Sequence, residues 1–176
     1  SYPVQATQVM MNLIDSHDTF RYLESCNGDI SKLEMAVLFQ MTYVGTPHIW
    51  YGDEVGMMGA HDPDCRRPFN WKYTEDPGKV SLREYYKKLI QIRKEYSSLR
   101  TGSFSTLIAD GMVYGFLRSD DESSIAVVLN NDTKINKIKI PFKSDYALDL
   151  LTGKKYITKN GQVEINLDAM SGAILK

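Results

Sequence analysis

The chain is poor in the residues that staple or metallate small folds. It has only two cysteines, Cys26 and Cys65, and only three histidines among 176 residues. Two cysteines thirty-nine positions apart are not a disulfide framework, so reduced thiols are expected. That state points to the cytoplasm, with a periplasmic or secreted protein as the alternative. His17, His48 and His61 lack the two- or four-residue spacings of zinc motifs, so no catalytic metal is expected. A structural calcium site on Asp62 and Asp64 is conceivable, but their spacing does not support it. Charge of one sign is also missing: 21 basic and 22 acidic residues leave a net charge of -1. No basic stripe follows, which disfavours a nucleic-acid partner. No apolar run approaches the length of a membrane span, so no membrane partner is expected. Residues 1–10 have neither a basic start nor an apolar stretch, unlike a secretory leader.

What is present suffices for a core. Hydrophobic residues make up 43% of the chain, and the length fits one large domain or two small ones. The period of the apolar pattern changes near residue 101, which predicts units at 1–100 and 101–176. In the first, Val9–Ile14 reads as a buried strand. Leu33, Ala36, Val37 and Met41 share a helical face over about 33–43, with Ser31 and Glu34 spaced as a capping box. Pro47–Tyr51, bounded by Gly45 and Gly52, reads as a second strand. Strand, helix, strand at this spacing implies parallel pairing. Nearly thirty residues without a regular period follow, a length that in compact domains is usually functional. A second helix is expected over about 81–96, with Leu82, Tyr85, Tyr86, Leu89, Ile92 and Tyr96 inward and a capping box at Ser81 and Glu84. Beyond residue 101, β-rich runs at 112–118, 124–130, 134–140, 146–150 and 163–167 alternate with Asp-Gly, Asn-Asn-Asp, Thr-Gly and Asn-Gly turns, as in an antiparallel sandwich.

Three stretches carry candidate chemistry. Asp15-Ser16-His17-Asp18-Thr19 lies just past a parallel strand, where ligands of α/β folds bind. The plainer alternative is a polar cluster that caps backbone amides. Gly45–Glu54 holds Asp53 and Glu54 at the end of the second strand, and for most of it a purely structural role suffices. His61-Asp62-Pro63-Asp64-Cys65-Arg66-Arg67-Pro68-Phe69-Asn70-Trp71 joins carboxylates, guanidinium groups and aromatics, the means of holding sugar hydroxyls and sugar faces. Internal Asp–Arg pairing of the loop is compatible with that.

Taken together and in this order, the stretches resemble the α-amylase family of glycoside hydrolases, the neopullulanase and cyclomaltodextrinase branch in particular. Met11–Thr19 is similar to the family motif at the end of barrel strand seven. Gly45–Glu54 is similar to the strand-eight motif, and Asp62–Pro68 to the loop after it. Phe20 departs from the family, where an acidic residue is common. The resemblance implies the C-terminal part of a (β/α)8 TIM barrel, strands seven and eight with their helices, followed by an antiparallel β-sandwich domain: α/β plus all-β. It implies a retaining mechanism on α-1,4 or α-1,6 glucosidic bonds. The nucleophile and the general acid/base are expected after strands four and five, outside these residues, so the chain alone is expected to be inactive. Asp18 would be the third, transition-state-stabilising carboxylate. His17 would hydrogen-bond the same sugar, and Asp62 and Arg66 would hold the next. No cofactor is implied. The implied substrates are maltooligosaccharide, cyclodextrin or pullulan, and exposed strand edges suggest self-association. A competing reading is a non-catalytic carbohydrate-binding or scaffolding module that stacks sugars on Trp50, Trp71 and Tyr73.

Overall fold

A computed structural model describes residues 2–176. They divide into two compact units, one ending at Gln91 and the other running Ile92–Lys176. The division falls inside a helix, ahead of the change of period near residue 101.

In the first unit, α1 (Val4–Val9) precedes β1 (Met11–Leu13). The strand expected over 9–14 is therefore shorter, and Val9 ends a helix. After α2 (Tyr22–Ser25) comes α3 (Ile30–Thr42), which leads to β2 (Thr46–His48). β1 and β2 pair in parallel, Met11 opposite Thr46 and Leu13 opposite His48. Helix α3 buries Leu33, Val37, Leu38 and Met41. It also clamps both strands through one polar side chain: buried Gln40 donates from Nε2 to the carbonyls of Asn12 and His48, each at 2.9 Å. Gly45 (φ 110°) lets the chain enter β2, since a Cβ there would stand 2.7 Å from the Met10 carbonyl. The cap of α3 is Asp29, whose carboxylate accepts from Ser31 N at 3.1 Å, rather than Ser31.

The irregular segment that follows contains three 3-10 turns, Asp53–Val55, Asp64–Arg66 and Trp71–Glu75. α4 then spans Pro77–Glu95, one turn earlier than the Ser81–Glu84 pattern implies. Asp76 accepts from Gly78 N at 2.9 Å, and Pro77 takes the first helical position, where a missing N–H costs nothing. Leu82, Tyr86 and Leu89 are buried on α4, and Tyr85 Oη donates to the Glu34 carbonyl of α3 at 3.2 Å.

The second unit opens with α5 (Ser98–Thr101) and continues as β3 (Ser103–Asp110), β4 (Val113–Ser119), β5 (Ser124–Asn130), β6 (Asn136–Pro141), β7 (Tyr146–Leu148), β8 (Lys155–Lys159), β9 (Gln162–Leu167) and β10 (Ser171–Leu175). They form two four-stranded antiparallel sheets, ordered β10-β5-β4-β3 and β6-β9-β8-β7. Alternate residues such as Ala126, Val128, Ile138, Ile140, Val163 and Ile165 fill the core between them. Asn130, fully buried, donates from Nδ2 to the carbonyls of Lys134 and Asp168, both at 2.8 Å, and so ties one sheet to the other. β3, β8 and β10 are additions to the strands expected from sequence.

Candidate functional site

The site grows from the carboxyl ends of β1 and β2. Past Leu13 the chain turns tightly. Ser16 N donates to Thr19 Oγ1 at 3.0 Å, and Asp18 N donates to Ser16 Oγ at 3.2 Å. Ser16 and Thr19 thus spend their side chains on the loop and leave His17 and Asp18 facing outward. The side chains of His17 and Asp18 are 55% and 69% exposed, and His17 Nε2 lies 3.2 Å from Asp18 Oδ2.

The loop after β2 brings the other two residues. Arg66 Nε donates to the His17 carbonyl at 3.1 Å. Its Nη2 lies 3.1 Å from Asp62 Oδ2 and 3.7 Å from Asp18 Oδ1. Cys65 Sγ reaches the same His17 carbonyl at 3.3 Å. All four residues singled out from sequence, His17, Asp18, Asp62 and Arg66, therefore meet in one exposed cluster. Trp50 stands beside it, its ring 5.7 Å from that of His17. Asp64 serves the loop itself. It accepts from Ala60 N at 2.8 Å and from Arg67 Nε at 2.7 Å, and these two bonds hold its carboxyl below the usual range. Asp62 and Asp64 thus pair with different arginines. Among the described residues no group of three or more His, Cys, Asp or Glu side chains is placed to hold a metal.

Beneath the surface lies a second set of charges, tied together by an arginine that sequence reading missed. Arg21 is fully buried. Its Nη1 donates to Asp53 Oδ1 at 3.0 Å, its Nε to the Cys65 carbonyl at 3.0 Å, and its backbone N–H to the Gly59 carbonyl at 2.9 Å. The guanidinium also lies 4.9 Å from the Tyr51 ring centroid. One residue thereby joins the loop after β1, the loop after β2 and the Gly59–Arg66 segment. Buried Asp15 accepts from Tyr22 N at 2.6 Å. Burial, followed by the charge of Asp15, pushes the Asp53 carboxyl up to about 8, against the opposing pull of Arg21. Nothing local in the sequence signals these partners, because they lie 32 and 44 residues from Arg21. The chemical capacity of the exposed cluster is to bind a polyhydroxylated ligand. Asp18 offers oxygens to hydroxyls, Arg66 and His17 offer N–H groups, and Trp50 offers a ring.

Residues 2–81 match the family model for the α-amylase catalytic domain. The chain is 45% identical to neopullulanase 2 of Thermoactinomyces vulgaris over 99% of its own length and 30% of that protein's. It is 51% identical to a cyclomaltodextrinase of Thermoanaerobacter pseudethanolicus over 72% of its length and 22% of that protein's. A solved cyclomaltodextrinase superposes with a TM-score of 0.89 at 38% identity, over 99% of this chain and 31% of that one. The chain thus spans less than a third of these relatives. It belongs to the α-amylase family of glycoside hydrolases. Within that family it is neopullulanase- and cyclomaltodextrinase-like.

Proposed function

We propose that the chain is the C-terminal portion of a retaining α-glucan hydrolase, in which Asp18 stabilises the transition state. The observation that carries this reading is the convergence of His17, Asp18, Asp62 and Arg66 at the carboxyl ends of two parallel strands. The strands correspond to the seventh and eighth of a (β/α)8 barrel, with the antiparallel unit as the C-terminal domain. Asp18 accepts two hydroxyls of the sugar at the cleavage point. The contact strengthens as that ring flattens toward an oxocarbenium ion, which is what makes it catalytic and not merely adhesive. His17 donates to the same sugar, while Asp62 and Arg66 hold the next one toward the non-reducing end. The nucleophile and the general acid/base belong to preceding parts of the enzyme. These residues therefore bind sugar without breaking the bond, and no cofactor enters. Substrates are maltooligosaccharides, cyclodextrins or pullulan, and the cytoplasm is the proposed location, suggested by the two buried free thiols.

The test is calorimetric titration of the chain with maltohexaose beside a turnover assay on β-cyclodextrin and pullulan. Saturable binding without turnover is expected, with Asp18→Asn and Arg66→Ala each weakening binding roughly tenfold or more, the loss of a charge-assisted hydrogen bond. Undiminished binding by both variants would remove the cluster from the reading. Sustained turnover by the chain would show that the bond-breaking carboxylates are within it.

A further inference from the structure

We infer that Trp71 is a second sugar-binding platform, on which a pyranose ring stacks at a distance from the Asp18 cluster along the same α-glucan. The inference deepens the proposed function and rests on it. Trp71 is 80% exposed, more than any other large apolar side chain described. Burying a tryptophan is one of the larger gains open to a fold, and this indole is left in water. It is nonetheless held in place. Asn70 Oδ1 accepts from Lys72 N at 3.1 Å and Trp71 N donates to the Phe69 carbonyl at 3.1 Å, which fixes the 3-10 turn that begins at Trp71. The Phe69 ring meets the indole at 4.8 Å and 60°, an edge-type contact. Tyr73, in contact with Phe69 at 6.1 Å, lies under the Arg83 guanidinium of α4 at 5.5 Å. The ring is therefore braced from one side and open on the rest.

The surroundings favour a small amphipathic ligand over a protein. Its neighbours in sequence, Arg67, Lys72, Thr74, Glu75 and Asp76, are all exposed and polar. Between Tyr51 and Met112, Trp71 is the one exposed large hydrophobic side chain among the described residues, which argues against the broad apolar patch of a protein interface. One flat apolar face rimmed by donors and acceptors matches a sugar ring, apolar on its C–H face and hydroxylated at its edge. Trp71 also follows Arg66 by five residues, so their Cα atoms are at most about 18 Å apart. The intervening chain is anchored by Tyr51 Oη, which donates to the Arg67 carbonyl at 3.0 Å. A ligand several sugars long can reach both.

The chain has two tryptophans, so each reports separately. Trp50→Phe leaves Trp71 as the emitter, and Trp71→Phe leaves Trp50, beside His17. Maltohexaose is expected to shift or quench both emissions saturably. Trp71→Phe and Trp71→Ala should raise the Kd for maltohexaose, the alanine form by roughly two- to tenfold, one stacking contact, with the Kd for maltose unchanged. A response from Trp50 with a silent Trp71, or an unaltered maltohexaose Kd in Trp71→Ala, overturns the platform and leaves the proposed function standing. A response from Trp71 alone supports the platform and removes the Asp18 cluster as its companion. Silence from both overturns both readings. Emission from Trp71 that changes with protein concentration, and not with sugar, assigns the ring to contact between copies and overturns the platform.

Discussion

Asp53 is the carboxylate displaced furthest from its ordinary state, and its consequence is a pH dependence. The carboxyl titrates at about 8 in the folded chain against a reference of 3.8. Between those values the folded state binds more protons than the unfolded one, so stability falls as pH rises through the window. Each tenfold displacement of that proton equilibrium is worth about 1.4 kcal/mol. The carboxylates held low, Asp64, Asp120, Asp132 and Glu164, act only at the acid end, as they protonate below their reference values. The urea midpoint of the chain is therefore expected to decline from pH 5 to pH 8, and Asp53→Asn should flatten the decline. The amide oxygen still accepts from Arg21, so the variant removes the proton and keeps the bond. A slope unchanged in Asp53→Asn would place the titration elsewhere. The exposed half of the site was legible through the resemblance of Met11–Thr19 and Asp62–Pro68 to family motifs, since the adjacent His17 and Asp18 alone look the same as a cluster that caps backbone amides. The Arg21 set was not legible. A buried arginine looks like any other in sequence, and what distinguishes it is two distant segments, at Asp53 and at Gly59–Arg66, folding onto its own loop.

Helices and strands were read well where one period governs and poorly where a cap or a bulge intervenes. The parallel pair was readable because Gly45 and Gly52 bracket a short β-prone run after an apolar helix face. Val4–Val9 was missed because Val9 continues an apolar run into β1, although the chain turns from helix to strand there. β3 escaped because its pairing with β4 shifts between Thr106 and Ile108, which breaks the alternation a strand shows in sequence. β8 carries mostly exposed residues, and β10 is five residues long. The caps supply a test. Asp76 bonds the first amides of α4, whereas Ser81 lies a turn inside the helix. Asp76→Ala is expected to lower unfolding stability by about 1 kcal/mol, and Ser81→Ala to stay within about 0.5 kcal/mol. Equal losses in thermal unfolding would restore the capping box at Ser81. Gln40 offers a stronger perturbation. Gln40→Leu leaves the carbonyls of Asn12 and His48 without their donor, for a cost of about 1–3 kcal/mol. Loss of maltohexaose binding should accompany it, because the strands whose ends carry the site lose their clamp.

At the scale of the whole molecule the two units differ in how completely they satisfy themselves. The second closes a core between two sheets of four strands. In the first, β1 and β2 are the only sheet strands described, so each has an unpaired edge. Beside them, Val9, Met10, Met11 and Leu13 are 73%, 49%, 60% and 44% exposed. Open strand edges lined by apolar side chains offer backbone donors and acceptors together with a surface that gains by leaving water. Met11 and Leu13 alternate along β1 and so share one face. Association of copies through this edge is the expected outcome, and light scattering behind size exclusion should record a mass that rises with concentration. Met11→Lys combined with Leu13→Lys places two charges on that face at positions already in water, so the fold is unharmed while the edge repels its counterpart. The double variant is expected to be monomeric with an unchanged unfolding midpoint. If the unaltered chain is a monodisperse monomer at high concentration, the edge is protected by its shortness alone, since three residues provide too few ladder bonds to recruit a second strand.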